Sequence, residues 1–164
     1  MKALVPEVRL SLPARAEGVG VVRQALAGVA DALVFDAAVL ADMKMAVTEA
    51  CTNVVVHAYD ERDEGSLEVE MAADDTGLTI VVRDQGAGMQ QGSAGRDAPA
   101  LGLGLPLIAA LSDAFELHGS PGEGTEVRMS FAYERRVDPA TANPVQGSIG
   151  ADGRWDADAD QPQV

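Results

Sequence analysis

The sequence predicts an α+β fold: a two-layer α/β sandwich with a mixed, mainly antiparallel sheet covered on one face by about three helices. Three observations carry this. Three short segments alternate apolar and polar residues, the period of a half-buried strand, two more read as strands, and two longer ones repeat apolar residues every three or four positions, the period of an amphipathic helix. Beyond the second helix the strands come in pairs joined by tight turns, which pairs them antiparallel.

Residues 7–12 (EVRLSL) alternate and end at Pro13. Over 17–33, Val19, Val22, Leu26, Val29 and Leu33 keep helical spacing, and Gly18, Gly20 and Gly28 each weaken that helix by about 1 kcal/mol relative to Ala. A break at Val34 and Phe35 precedes Asp36, an N-cap for a helix over 36–59. Residues 66–72 (SLEVEMA) and 78–83 (LTIVVR) are strands, with a hairpin signal in Asp74-Asp75-Thr76-Gly77. Residues 84–101 are too polar for core and long for a connector, which marks a functional loop. A short helix follows over 103–111, then strands over 115–118 and 125–133 across a Gly- and Pro-containing turn. Residues 1–136 thus form one folded domain. Residues 137–164 hold five Asp and one Arg, a charge of −4 that leaves −10 for the domain, and read as an acidic, disordered tail around Trp155.

Twelve basic against twenty-six acidic residues give −14. That argues against direct nucleic-acid binding, which needs clustered Lys and Arg. It leaves room for one nucleotide, whose charge Mg²⁺, backbone N–H groups and helix ends can meet. The single Cys51 excludes an intramolecular disulfide and a thiolate zinc cage, and His57 and His118 lie far apart. The N-terminus resembles neither a signal peptide nor an anchor, and no apolar run reaches about 18 residues. The expected setting is cytoplasmic, away from membranes.

Four groups of residues carry chemistry. On the 36–59 helix, Leu40, Met43, Val47, Cys51, Val54 and Ala58 form one apolar stripe, with Cys51 as a buried hydrophobe. Glu49, Asn53 and His57 recur every four residues within an arc of about 80°, roughly opposite. Asn53 offers a carbonyl oxygen to Mg²⁺, and Glu49 can accept a proton from an attacking hydroxyl. The same row also reads as a plain solvated face, which would have no need of the nearby Met45 and Val56. Asp84-Gln85-Gly86-Ala87-Gly88 directly follows a strand: Asp84 can accept a hydrogen bond from an exocyclic amine, and Gly86 and Gly88 let a flat ring approach the backbone. Gly102-Leu103-Gly104-Leu105-Pro106 opens a helix whose N–H groups can face phosphates, with Pro106 suited to its first turn. Leu107 stands where a Rossmann fingerprint has its third glycine, and no Gly-Lys-Ser/Thr occurs, so neither a dinucleotide fold nor a P-loop is indicated. Gly124-Thr125 starts the last strand, where Thr125 can reach a polar group on the adenine side.

In this order the four groups resemble the motifs of the GHKL ATPase/kinase superfamily. Glu49-Ala50-Cys51-Thr52-Asn53-Val54-Val55-Val56-His57-Ala58-Tyr59 resembles its N box, Asp84 to Gly88 its first glycine box, Gly102 to Leu105 its second, and Gly124-Thr125 its short final motif. Within the superfamily the chain is most similar to bacterial anti-sigma-factor serine/threonine kinases. The domain is minimal, the helix reads T-E-A-C-T-N-V-V-V-H-A-Y, and no histidine-bearing dimerisation helix precedes it.

The resemblance implies a Bergerat-type sandwich that binds ATP with Mg²⁺, holds a sigma factor and phosphorylates a STAS-type anti-sigma-factor antagonist on serine. Asn53 would bind Mg²⁺, Asp84 the adenine amine, and Glu49 would be the general base. Gly86, Gly88, Gly102, Leu103, Gly104 and Leu105 would shape the pocket and lid, and Thr125 would support the adenine end. Arg96, the one cation in the 89–101 lid, could reach the terminal phosphates, or be a solvated loop residue. The lid has no Lys, which favours a competing reading: a nucleotide-dependent binding module with little turnover. Arg23, on the first helix, would contact partner proteins. The family leaves room for a homodimer. An orphan histidine-kinase catalytic domain is a third reading, opposed by the absence of Phe from 89–100.

Overall fold

A computed structural model describes residues 7–60, 64–86, 104–120 and 122–133, together with 148–149 and 155–156. The elements are β1 (Glu7–Pro13), α1 (Ala16–Ala32), α2 (Ala37–Asn53), a π-helical turn (Val54–Ala58), β2 (Ser66–Ala73), β3 (Gly77–Asp84), α3 (Gly104–Leu111), β4 (Ala114–Gly119) and β5 (Thr125–Ala132). The five strands form one sheet in the order β1-β2-β3-β5-β4. Every pairing in it is antiparallel, so the mixed component expected from sequence is absent among the described residues. The α+β sandwich itself is as expected. Within the segment read as a disordered tail, Ser148–Ile149 (β6) pairs antiparallel with Trp155–Asp156 (β7), and the rest of that expectation lies outside the described residues.

Register and alternation together sort the side chains. Leu10, Val69, Val82, Val127 and Leu117 lie in one cross-strand row, and Val8, Met71, Ile80, Met129 and Phe115 in the next. These rows meet Val22, Leu26 and Val29 of α1, Met43, Val47 and Cys51 of α2, and Ile108 of α3 in one core. At about 25 cal/mol per Å² of apolar surface removed from water, this shared core is the main force pressing the helices onto the sheet. Cys51 lies within it, and burial pushes its thiol up to about 12, so it stays a protonated, inert hydrophobe.

The opposite face of the sheet carries charges in alternating rows. Arg83 Nε donates to Glu126 Oε2 at 2.6 Å and Arg83 Nη1 to Glu70 Oε2 at 3.1 Å. The Arg83 guanidinium holds the Glu126 carboxyl below its ordinary range, and Arg128 adds to the effect. Both partners are partly solvated, so each pair is worth at most about 1 kcal/mol. Their value here is registry: they pin β3 to β2 and β5 one residue before the strand's end.

Local chemistry sets the helix ends. Asp36 Oδ1 accepts the Ala38 N–H at 2.8 Å, the expected cap. At the end of α1, Phe35 N–H reaches the Ala30 carbonyl and Val34 N–H the Asp31 carbonyl, a Schellman closure. Its left-handed position is occupied by Val34 (φ 58°), a β-branched residue that is 87% exposed. The Phe35 ring stacks on Tyr133 with centroids 4.9 Å apart. The 36–59 helix read from sequence stops being α-helical at Asn53, and its buried face is wider than the stripe, taking in Val39, Ala46 and Ala50. Leu40 and Ala58 are only partly buried against the core.

Val34→Gly removes a left-handed cost of about 1–2 kcal/mol and adds about 0.5–1 kcal/mol of unfolded-state entropy. It should therefore raise stability by about 0.5–1 kcal/mol in urea titration, an increase that an unstrained link would not give.

Candidate functional site

Strand parity places the first residue of the site. Asp84 ends β3 on the same face as Leu78, Ile80 and Val82, the face that the helices cover. It is 7% exposed and the one charged residue that is buried among the described residues. A buried carboxylate needs donors. Asp84 Oδ1 accepts the Gly86 N–H at 2.9 Å. Thr125 is its cross-strand partner on β5, so the structure brings the two together as the sequence reading requires. The preceding Gly124 has φ +81°, and a Cβ there would overlap the Asp84 carbonyl oxygen.

The C-terminal end of α2 supplies the opposite wall. After Asn53 the chain widens into the π turn Val54–Ala58, which carries three consecutive valines. Gly86 rests on this turn so closely that a Cβ would overlap the Ala58 carbonyl oxygen. Tyr59 then leaves the turn, and its hydroxyl accepts the Gln85 N–H at 2.9 Å. The strand end bearing Asp84 is thereby fixed to the helix bearing Asn53.

One turn back, Glu49 and Asn53 face the start of α3. A Cβ built on Gly104 would stand 3.3 Å from Glu49 Oε2 and 3.5 and 3.6 Å from the two polar atoms of the Asn53 amide. Both side chains are half-buried, so this part of the row is no solvated face. His57 falls on the π turn and is exposed, beside a groove of about 500 Å³ that it shares with Tyr59, Gln85 and Gly86. Leu105 packs partly against the core, and Arg23 is exposed on α1. Gly88, Arg96, Gly102 and Leu103 lie outside the described residues.

A carboxylate, an amide and a helix start that meet without a side chain between them can hold phosphate oxygens and position a hydroxyl. No group of three or more His, Cys, Asp or Glu suited to a metal occurs among the described residues. Beside Gly104 the Asn53 amide offers a neutral carbonyl oxygen, a donor suited to a cation that brings most of its own ligands, as Mg²⁺ does when chelated by phosphates. The sequence reading gave Tyr59 no role. A tyrosine directly after the helix, with glycine six residues on, was the signal that could have marked it.

Residues 12–131 match the family described as the histidine kinase-like ATPase domain. The serine-protein kinase RsbW of Bacillus velezensis is 32% identical over 153 residues, covering 86% of this chain and 95% of the relative. That of Bacillus thuringiensis is 32% identical over 151 residues, covering 85% and 92%. Among solved structures, a Mycobacterium tuberculosis protein with RsbU and RsbW domains superposes with TM-score 0.60 at 23% identity, over 77% of this chain and 31% of that one. The histidine kinase domain of a blue-light activated kinase from Erythrobacter litoralis gives 0.50 at 16%, over 73% and 61%. These two likenesses bear on the fold alone. Among the described residues no helix is long and apolar enough to cross a membrane.

Gly86→Ala should cost more than about 2 kcal/mol, because its methyl meets backbone that cannot rotate away. Gly20→Ala, in open space on α1, should instead stabilise by about 1 kcal/mol. Equal urea midpoints for the two variants would contradict the close approach.

Proposed function

Because the chain belongs to the histidine kinase-like ATPase family, we propose that it is an ATP-dependent protein serine/threonine kinase and an anti-sigma factor. In this reading it sequesters a sigma factor in the cytoplasm and phosphorylates a STAS-type antagonist on serine. The observation that carries the proposal is the joining of two chemistries along one seam. The buried Asp84 carboxylate lies at one end of the π turn, and the Glu49–Asn53 pair with Gly104 at the other.

The roles follow from chemistry and from the resemblance of the four motifs. Asp84 accepts a hydrogen bond from the exocyclic amine of adenine, supported by Thr125 across the strand pair. Gly86 and Gly88 admit the ring. The N–H groups over Gly102 to Leu105 face the phosphates, and Arg96 reaches the terminal one. Asn53 Oδ1 is the protein ligand of Mg²⁺. Bound Mg²⁺ supplies the charge neutralisation on which phosphoryl transfer depends. Glu49 takes the proton of the attacking serine hydroxyl, whose oxygen bonds to the γ-phosphorus as the bond to ADP breaks. Arg23, exposed on α1, contacts the protein partner. The formal charge of −14 keeps direct nucleic-acid contact out of this scheme.

Two variants separate binding from transfer. Asp84→Asn should weaken Mg·ATP binding by more than about tenfold in calorimetry while the fold persists. Glu49→Ala should bind nucleotide within about twofold of wild type and lose about 10²–10⁴ in transfer to the antagonist. Undiminished transfer would remove Glu49 from the base role. Nucleotide binding with no transfer by the wild type to any antagonist would favour a binding module over a kinase.

A further inference from the structure

Tyr59 is the first residue after the π turn, and its backbone is extended (φ −131°, ψ 148°). Its ring runs beneath the start of β2, where a Cβ on Gly65 would overlap ring atoms. Its hydroxyl donates to the Ser66 carbonyl at 2.8 Å and accepts the Gln85 N–H at 2.9 Å. A single oxygen thus ties the start of β2 to the residue directly after Asp84. The Gln85 side chain adds a bond from Nε2 to Glu68 Oε1 at 3.1 Å. Next along the chain, Gly86 N–H closes on Asp84 Oδ1 and the Gly86 backbone rests on Ala58.

We propose that Tyr59 is a positioning residue for base selection: through the Gln85 amide it holds the turn from Asp84 to Gly86, so that the Asp84 carboxylate is aimed at a purine's exocyclic amine. The proposal rests on the adenine reading of Asp84. A carboxylate rewards an amine and repels the carbonyl that inosine carries in its place, and that contrast depends on aim. Loosening the turn blurs the contrast while leaving the phosphate end of the site intact. The ring is partly buried against the core and packs without its hydroxyl, and Gln85 is exposed, so its freed N–H finds water.

The test is calorimetry of ADP and inosine diphosphate on wild type and Tyr59→Phe, with melting curves on both proteins. Wild type should prefer ADP. The Phe variant should stay folded and lose about fivefold in ADP affinity with inosine diphosphate little changed, so the preference contracts by the same factor. Gln85→Pro, which removes the donor and leaves the tyrosine, should contract it likewise. An unchanged preference in both variants, or equal losses for both nucleotides, would overturn the role of Tyr59 and leave Asp84 standing. A wild type that does not distinguish the two nucleotides would take down the adenine reading, and the role of Tyr59 with it.

Discussion

The close approach of Gly86 to the Ala58 carbonyl is the constraint on which the rest of the site depends. It admits no side chain, so the end of β3 and the end of α2 are held at backbone contact. Strand alternation alone would leave Asp84 facing the helix layer at no particular distance from it. The π turn sets that distance, and the same turn terminates α2 at Asn53. Glu49 and Asn53 are therefore in register with a carboxylate that lies on a different element. Gly104 repeats the device at the other end, bringing the start of α3 to the same two side chains.

The scaffold beneath the seam is built from small and medium apolar residues. Aromatics are only 4% of the chain, and Val, Leu, Met and Ala supply most of the core, with Phe131 its largest fully buried member. Such a core tolerates the close helix–sheet spacing that a backbone-to-backbone contact requires. The charged rows on the opposite face add little to stability, yet they lock Arg83 from both sides, and Asp84 is the next residue. Rigidity is thus delivered to the base of the site, while the chemistry sits at element ends, where backbone N–H groups are free to act.

Much of this was legible beforehand. The bounds of every strand of the main sheet were legible to within a residue or two, with period-two alternation the marker for β1 and β2, and the Asp36 cap and the Asp74 turn stand as read: Asp74 Oδ1 accepts from the Thr76 and Gly77 amides. Glu49 and Asn53 were identifiable because they recur four residues apart on one side of the helix, and Asp84 because it ends a strand directly before a glycine turn. The π turn was not legible, since one extra residue per turn scarcely disturbs an apolar pattern that three valines continue. Val34 in a left-handed Schellman position was hidden for a different reason: intrinsic preference argues against a β-branched residue there.

The most direct measurement is an amide-resolved NMR titration of the full chain with Mg·ADP. A nucleotide seated along the seam should move the amides of residues 53–59, 84–86 and 104–105 together, with one saturation curve. Shifts confined to the charged face around Arg9, Glu70 and Arg128, or no shifts at saturating nucleotide, would contradict it.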